Sequence, residues 1–141
     1  MNNIIEGIRA YFLDCPLLDE SGKIGVDFLG DEAVEYVIES VPCEPVIKRY
    51  MDGGTQRQYL FVFASREAHG SDALDNMVNC GFYEAFADWL EAQDRDSIYP
   101  QLPEGKTPIG IKAITCGYLF DAGPDTGRYQ IQCRLIYNQE G

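Results

Sequence analysis

Apolar residues recur at three- and four-residue intervals in two stretches of the chain. Near its start, Ile4, Ile5, Ile8, Tyr11 and Phe12 line one side of a short helix over residues 3–13. Asn2 or Asn3 caps it, and Pro16 stops it, because the residue before a proline avoids the helical region. The longer stretch predicts a helix over 71–93. Leu74, Met77, Val78, Gly81, Phe82, Ala85, Phe86, Trp89 and Leu90 share its apolar side, opposite Asp72, Asp75, Asn76, Asn79, Glu84, Asp88 and Glu91. Ser71 is the capping residue, and Asp72 and Asp75 suit the positive end of the helix dipole. Gly81, within the apolar set, implies a close approach of the helix to the sheet.

Elsewhere the period is two. In residues 33–41, Val34, Tyr36 and Ile38 point one way and Glu35, Val37 and Glu39 the other, as in a half-exposed strand. Pro42 and Pro45 break it around Cys43. A strand over 46–50 runs into Met51-Asp52-Gly53-Gly54, whose Asp-Gly and Gly-Gly steps suit the positive φ angles of a hairpin turn. Residues 58–64 are apolar on both sides, which places them mid-sheet with both faces covered. Residues 94–108 form a polar loop with three prolines. Two long strands follow, 109–121 and 128–138, joined by the AGPDTG turn. In the last strand Tyr129, Ile131, Cys133, Leu135 and Tyr137 alternate with Arg128, Gln130, Gln132 and Arg134. This order argues for an α+β fold in one domain, 1–141. An antiparallel or mixed sheet is packed by one long helix, with a short N-terminal helix beside it. The expected core joins Leu74, Phe82, Phe86, Trp89 and Leu90 to Leu60, Val62, Ile131 and Leu135.

A chain of 141 residues is long enough to bury a core without staples. The formal net charge is −12, and the halves 1–70 and 71–141 carry −6 each, so the acidity is not a tail. A body this acidic repels phosphate chains, which disfavours nucleic-acid binding but not a role in which DNA passes without sticking. Nothing at the N-terminus has the basic and apolar pattern of a secretory signal, and no apolar run reaches membrane-spanning length. Five dispersed cysteines, an odd number without a C-x-x-C pair, read as reduced thiols in a cytosolic protein.

Catalytic signatures are missing. The single histidine, His69, sits beside the expected helix cap and reads as a surface residue. Asp19-Glu20 and Asp31-Glu32 match no calcium loop, and the cysteines match no zinc spacing. Gly53-Gly54 lacks the lysine and helix start of a phosphate loop. No cofactor or metal is expected. Two other classes stay open. One is a small enzyme built on Cys43 or Cys116 with His69; the other is an acidic DNA mimic that inhibits a nucleic-acid enzyme.

Several stretches together carry a resemblance. They are Cys15-Pro16-Leu17-Leu18, the Tyr36 and Ile38 strand, the segment from Pro42 to Gly54, and Gln58 to Glu67. Gly81-Phe82-Tyr83-Glu84, Trp89-Leu90-Glu91, Thr115 to Phe120 and Arg128 to Cys133 complete the set. It resembles the minor capsid or tail terminator proteins of long-tailed phages and prophages of Gram-positive bacteria. The resemblance implies an α+β virion subunit that assembles into a homo-oligomeric ring during host cytoplasmic growth. The ring ends tail-tube growth and joins tail to head. Its partners are tail-tube and head-connector proteins, with DNA only passing through and no membrane. For the interface, loop composition points to Met51, Asp52, Gly53, Gly54 and Arg57 at the hairpin and to Asp94, Asp96 and Lys106 in the second loop. Both loops are expected to be mobile in the free subunit, since glycines confer freedom and only Ile98, Tyr99 and Leu102 of 94–107 could anchor it.

Overall fold

The computed structural model describes residues 3–18, 24–26, 35–68, 73–122 and 126–141. In chain order the elements are α1 (Ile4–Leu13), β1 (Ile24–Val26), β2 (Glu35–Val41), β3 (Val46–Arg49), β4 (Thr55–Ala68), α2 (Ala73–Arg95), β5 (Lys106–Ala113), β6 (Tyr118–Ala122) and β7 (Thr126–Gln139). The fold is mixed α/β, with a seven-stranded sheet and two helices. Among the described residues no helix is long and apolar enough to cross a membrane.

The spine is the antiparallel pair β4–β7, in register from Thr55 opposite Gln139 to Ala68 opposite Thr126. Strand order is β1-β2-β4-β7-β5; β3 continues the β2 lane along β4, and β6 continues the β5 lane along β7. Only β1 and β2 run parallel. The expected strand 58–64 is the middle of a longer one. The expected strand 109–121 is two strands, and the reason is a contact with α2. Gly117 presses so closely on α2 that an added Cβ would lie 2.3 Å from Cβ of Tyr83. Between the strands, Ile114 N–H still donates to the Gln132 carbonyl, while the Thr115 hydroxyl takes the Gln132 N–H at 3.1 Å. A side chain thus replaces the ladder for one step. The turn residues 123–125, His69 and Ser71 lie outside the described residues.

Both helices pack on one face of the sheet. Asn3 caps α1, its Oδ1 accepting from Glu6 N–H at 2.9 Å. From α1, Ile8 and Phe12 are wholly buried; from α2, Tyr83, Phe86 and Leu90 are. The Phe12 ring lies 5.4 Å from Phe63, 5.4 Å from Phe86 and 5.9 Å from Phe61, centroid to centroid. The short helix is therefore as much a part of the core as the long one. Of the expected core, Phe86, Leu90, Ile131 and Leu135 are buried there, while Phe82 and Trp89 pack against it half-buried. The side chain of Leu74 lies outside the described ones. Leu60 and Val62 are corrections. They point to the other face, and Phe61 and Phe63 take their place, because a run apolar on both sides does not reveal which side meets the helices. Gly81 is a second correction: it is exposed, and nothing lies within 4 Å of where its Cβ would be.

The helix-free face is roofed by ions. Glu39 pairs with Arg128. In register Glu39 stands beside Val62 and Arg128 beside Arg66, so the bridge crosses β4 above Ala64. Beneath it Val37, Val62 and Ala64 are buried as a separate small cluster.

Candidate assembly surface

The turn between β3 and β4 is held from three sides. Tyr50 N–H donates to the Gly54 carbonyl at 2.8 Å, Gly53 N–H to the Tyr50 carbonyl at 3.2 Å, and Asp52 Oδ1 accepts from Gly54 N–H at 2.9 Å. Gly53 has φ +94°, which a side chain would resist. Tyr50 Oη donates to Asn138 Oδ1 at 2.9 Å and fastens the hairpin to β7. The chain end also packs here, with Gly141 against Gly53. At the tip, Met51 is wholly exposed, the most exposed large apolar side chain described.

Lys106 comes to the same end of the sheet, since Thr55, Gln139 and Lys106 are successive register partners. Arg57 lies two residues inward, its Nε donating to Thr55 Oγ1 at 2.9 Å. Met51, Asp52, Gly53, Gly54, Arg57 and Lys106 therefore share one end. Asp94 and Asp96 do not join them. Asp96 is exposed at the end of α2. Asp94 turns inward: its Oδ1 accepts from Ile111 N–H at 3.1 Å and from Tyr99 Oη at 2.9 Å.

That contact blocks an edge. β5 is the outer strand, and Ile111 offers its outward N–H to Asp94. The Ile109 carbonyl, 3.2 Å from Tyr99 Oη, is an alternative acceptor for the proton that Asp94 Oδ1 holds at 2.9 Å, and Pro108 has no N–H to offer. An exposed edge is a template for pairing with other chains, and here the Ile111 N–H at its middle is already taken.

The expectation of a poorly anchored 94–107 loop is also corrected. Pro100 is buried, and Tyr99 and Leu102 pack on the core. Tyr11 Oη donates to the Ile98 carbonyl at 2.9 Å. Gly7 of α1 lies so near the loop that its Cβ would be 2.1 Å from the Gln101 carbonyl oxygen. Helix α2 ends with Ser97 at φ +59° and Ile98 N–H donating to the Gln93 carbonyl, a left-handed cap that sends the chain back along α1. Composition shows Tyr99 and Leu102 but not the Tyr11 hydroxyl and Gly7 backbone that distant α1 brings against the loop.

Titratable groups here serve structure. Burial pushes the Tyr11 hydroxyl up to about 12, the Gln93 hydrogen bond pulling slightly the other way. Burial likewise raises the Cys15 and Cys133 thiols, which are inert as nucleophiles in that form. Cys43 and Cys116 flank opposite sides of the β4–β7 spine, Cys43 beside Gln58 and Cys116 in the loop before β6. They form no joint site. Cys116 and Cys80 are exposed and line a cleft of about 550 Å³ with Tyr83, Glu84, Ala87, Asp88 and Gly117. Tyr83 Oη in that region is engaged below the surface by Ser65 Oγ and the Tyr129 carbonyl. Among the described residues, no three His, Cys, Asp or Glu side chains gather as metal ligands. Compared with known protein families and curated proteins, the chain matches no family model and no curated sequence.

Proposed function

We propose that the chain is a structural assembly subunit and not an enzyme. More particularly, it serves as a tail terminator or head–tail joining protein of a phage or prophage virion. Copies form a ring that ends tail-tube growth and meets tail-tube and head-connector proteins, and DNA passes through without specific binding. The supporting observation is Met51, a fully exposed apolar side chain on a turn braced by its own hydrogen bonds and by Asn138. An exposed apolar side chain set on ordered backbone suits a partner's pocket. The acidic surface suits a channel along which phosphates must slide.

The test is complementation of a phage lacking its own copy of the gene. Met51→Asp should leave melting nearly unchanged, within about 0.5 kcal/mol, since that side chain is fully exposed, and circular dichroism verifies that Lys106→Glu, at a half-buried site, is folded. Both should lower the yield of joined, infectious particles. Full complementation by both, with loss of function on Cys116→Ala, would replace this reading with the enzymatic one.

A further inference from the structure

Charges on the helix-free face are matched at one end and unmatched at the other. Asp121 stands opposite Arg128, and Glu39 reaches Arg128. The row of Val41, Leu60, Arg134 and Lys112, successive partners across β2, β4, β7 and β5, holds two cations and no acid. Ile111 and Leu135 point to the helices, so Lys112 and Arg134 face each other on the opposite side. Lys112 is exposed; Arg134 is half-buried, and its Nε is buried without a hydrogen-bond partner. Like charges directly opposite destabilise a sheet. Neither has a carboxylate partner among the described residues.

The complement is on the far side of the same molecule. Glu84, Asp88 and Glu91 of α2 are exposed, and spacings of four and three put them on one stripe. Helix α2 packs on one face of the sheet and the cation row lies on the other, so the stripe does not meet the row of its own subunit.

We propose that the Lys112–Arg134 row receives the Glu84–Asp88–Glu91 stripe of a second copy. Half-buried Val41 and Leu60 border the row and would exclude water from the ion pairs, which strengthens them. Each contact uses the front of one copy and the back of the next, so it is heterologous and propagates into a ring or an open filament. This names the subunit–subunit faces of the assembly reading and rests on it for its setting. It leaves the hairpin tip free for a different partner.

The experiment is sedimentation velocity on the full chain over a concentration series at low and high salt. Wild type should self-associate at low salt and dissociate at high salt. Lys112→Glu/Arg134→Glu should weaken association at least tenfold, and so should Glu84→Lys/Asp88→Lys/Glu91→Lys. Mixed together, the two variants should associate again, because each mutated face then meets its opposite charge. Circular dichroism verifies that each variant is folded; should one not fold, Lys112→Gln and Asp88→Asn give the same comparison. A wild type that stays monomeric at low salt overturns the proposal, as does a mixture that fails to recover. Association with short single-stranded DNA lost in Lys112→Glu/Arg134→Glu, without self-association, would assign the row to phosphate instead. If these results fail while Met51→Asp still blocks particle joining, the assembly reading stands and only the faces are wrong.

Discussion

Removing the Asp94 carboxylate separates two views of that residue by sign. As a helix residue alone, Asp94 is unfavourable. It lies in the last turn of α2, where a negative charge meets the negative end of the helix dipole at a cost of about 0.3–1 kcal/mol. Alanine is also the better helix former by up to about 0.7 kcal/mol. Asp94→Ala should on that view stabilise the protein by about 1 kcal/mol. The structure opposes this with two hydrogen bonds, from Ile111 N–H at 3.1 Å and Tyr99 Oη at 2.9 Å. A bond to a charged acceptor contributes about 1.5–3 kcal/mol. Tyr99 Oη keeps other acceptors, the Asp94 and Ile109 carbonyls at 3.2 Å each. The uncompensated loss is therefore mostly that of the Ile111 N–H, about 2–3 kcal/mol. The net expectation is a loss of about 1–2 kcal/mol, or roughly 3–8 °C in Tm for a chain of this size. Urea denaturation with an unchanged slope measures it. The exposed edge of β5 should also raise light scattering on warming, an effect absent in Asp96→Ala. A variant more stable than wild type, with no added scattering, would refute the claim that Asp94 closes the edge.

Phe12→Ala should cost about 3–5 kcal/mol in the same titration, since the ring is wholly buried among Phe61, Phe63 and Phe86; under 1 kcal/mol would mean that α1 is only an attachment. Gly81→Ala should stabilise the protein by up to about 1 kcal/mol, because the helix gains propensity and nothing stands in the way; a destabilised variant would show a contact at that site. Gly7→Ala should destabilise by about 1–3 kcal/mol, since the new methyl meets the Gln101 carbonyl; a neutral result would show that the 98–103 segment gives way freely. Stability should fall as pH rises from about 10 toward 12. The folded Tyr11 hydroxyl ionises near 12 and the unfolded one near 10, so the unfolded chain loses its proton first; Tyr11→Phe should flatten that limb of the curve, and an unchanged limb would count against burial of the hydroxyl.

Periodicity left no mark of β1 but located both helices and the strands β2 and β7, because burial on one side leaves a repeat of 3.6 or 2 in the chain. It also marked the Asp52-Gly53-Gly54 turn, whose backbone demands are local. What depends on distant neighbours was hidden. The sidedness of residues 58–64 needed the register with β2 and β7, since both alternations are apolar. The break at 114–117 needed Tyr83 beneath it. Asp94 reads as a loop acid until Ile111 and Tyr99 are placed beside it. Charge shows the same division. Along the chain the acid excess is even, −6 in each half, and no cation stands out. Pleating puts Lys112 and Arg134 on one side of the sheet, and α2 carries Glu84, Asp88 and Glu91 to the other. Composition determined the sum of the charges; tertiary structure decided which ones lack a partner, because only folding sets which residues are neighbours.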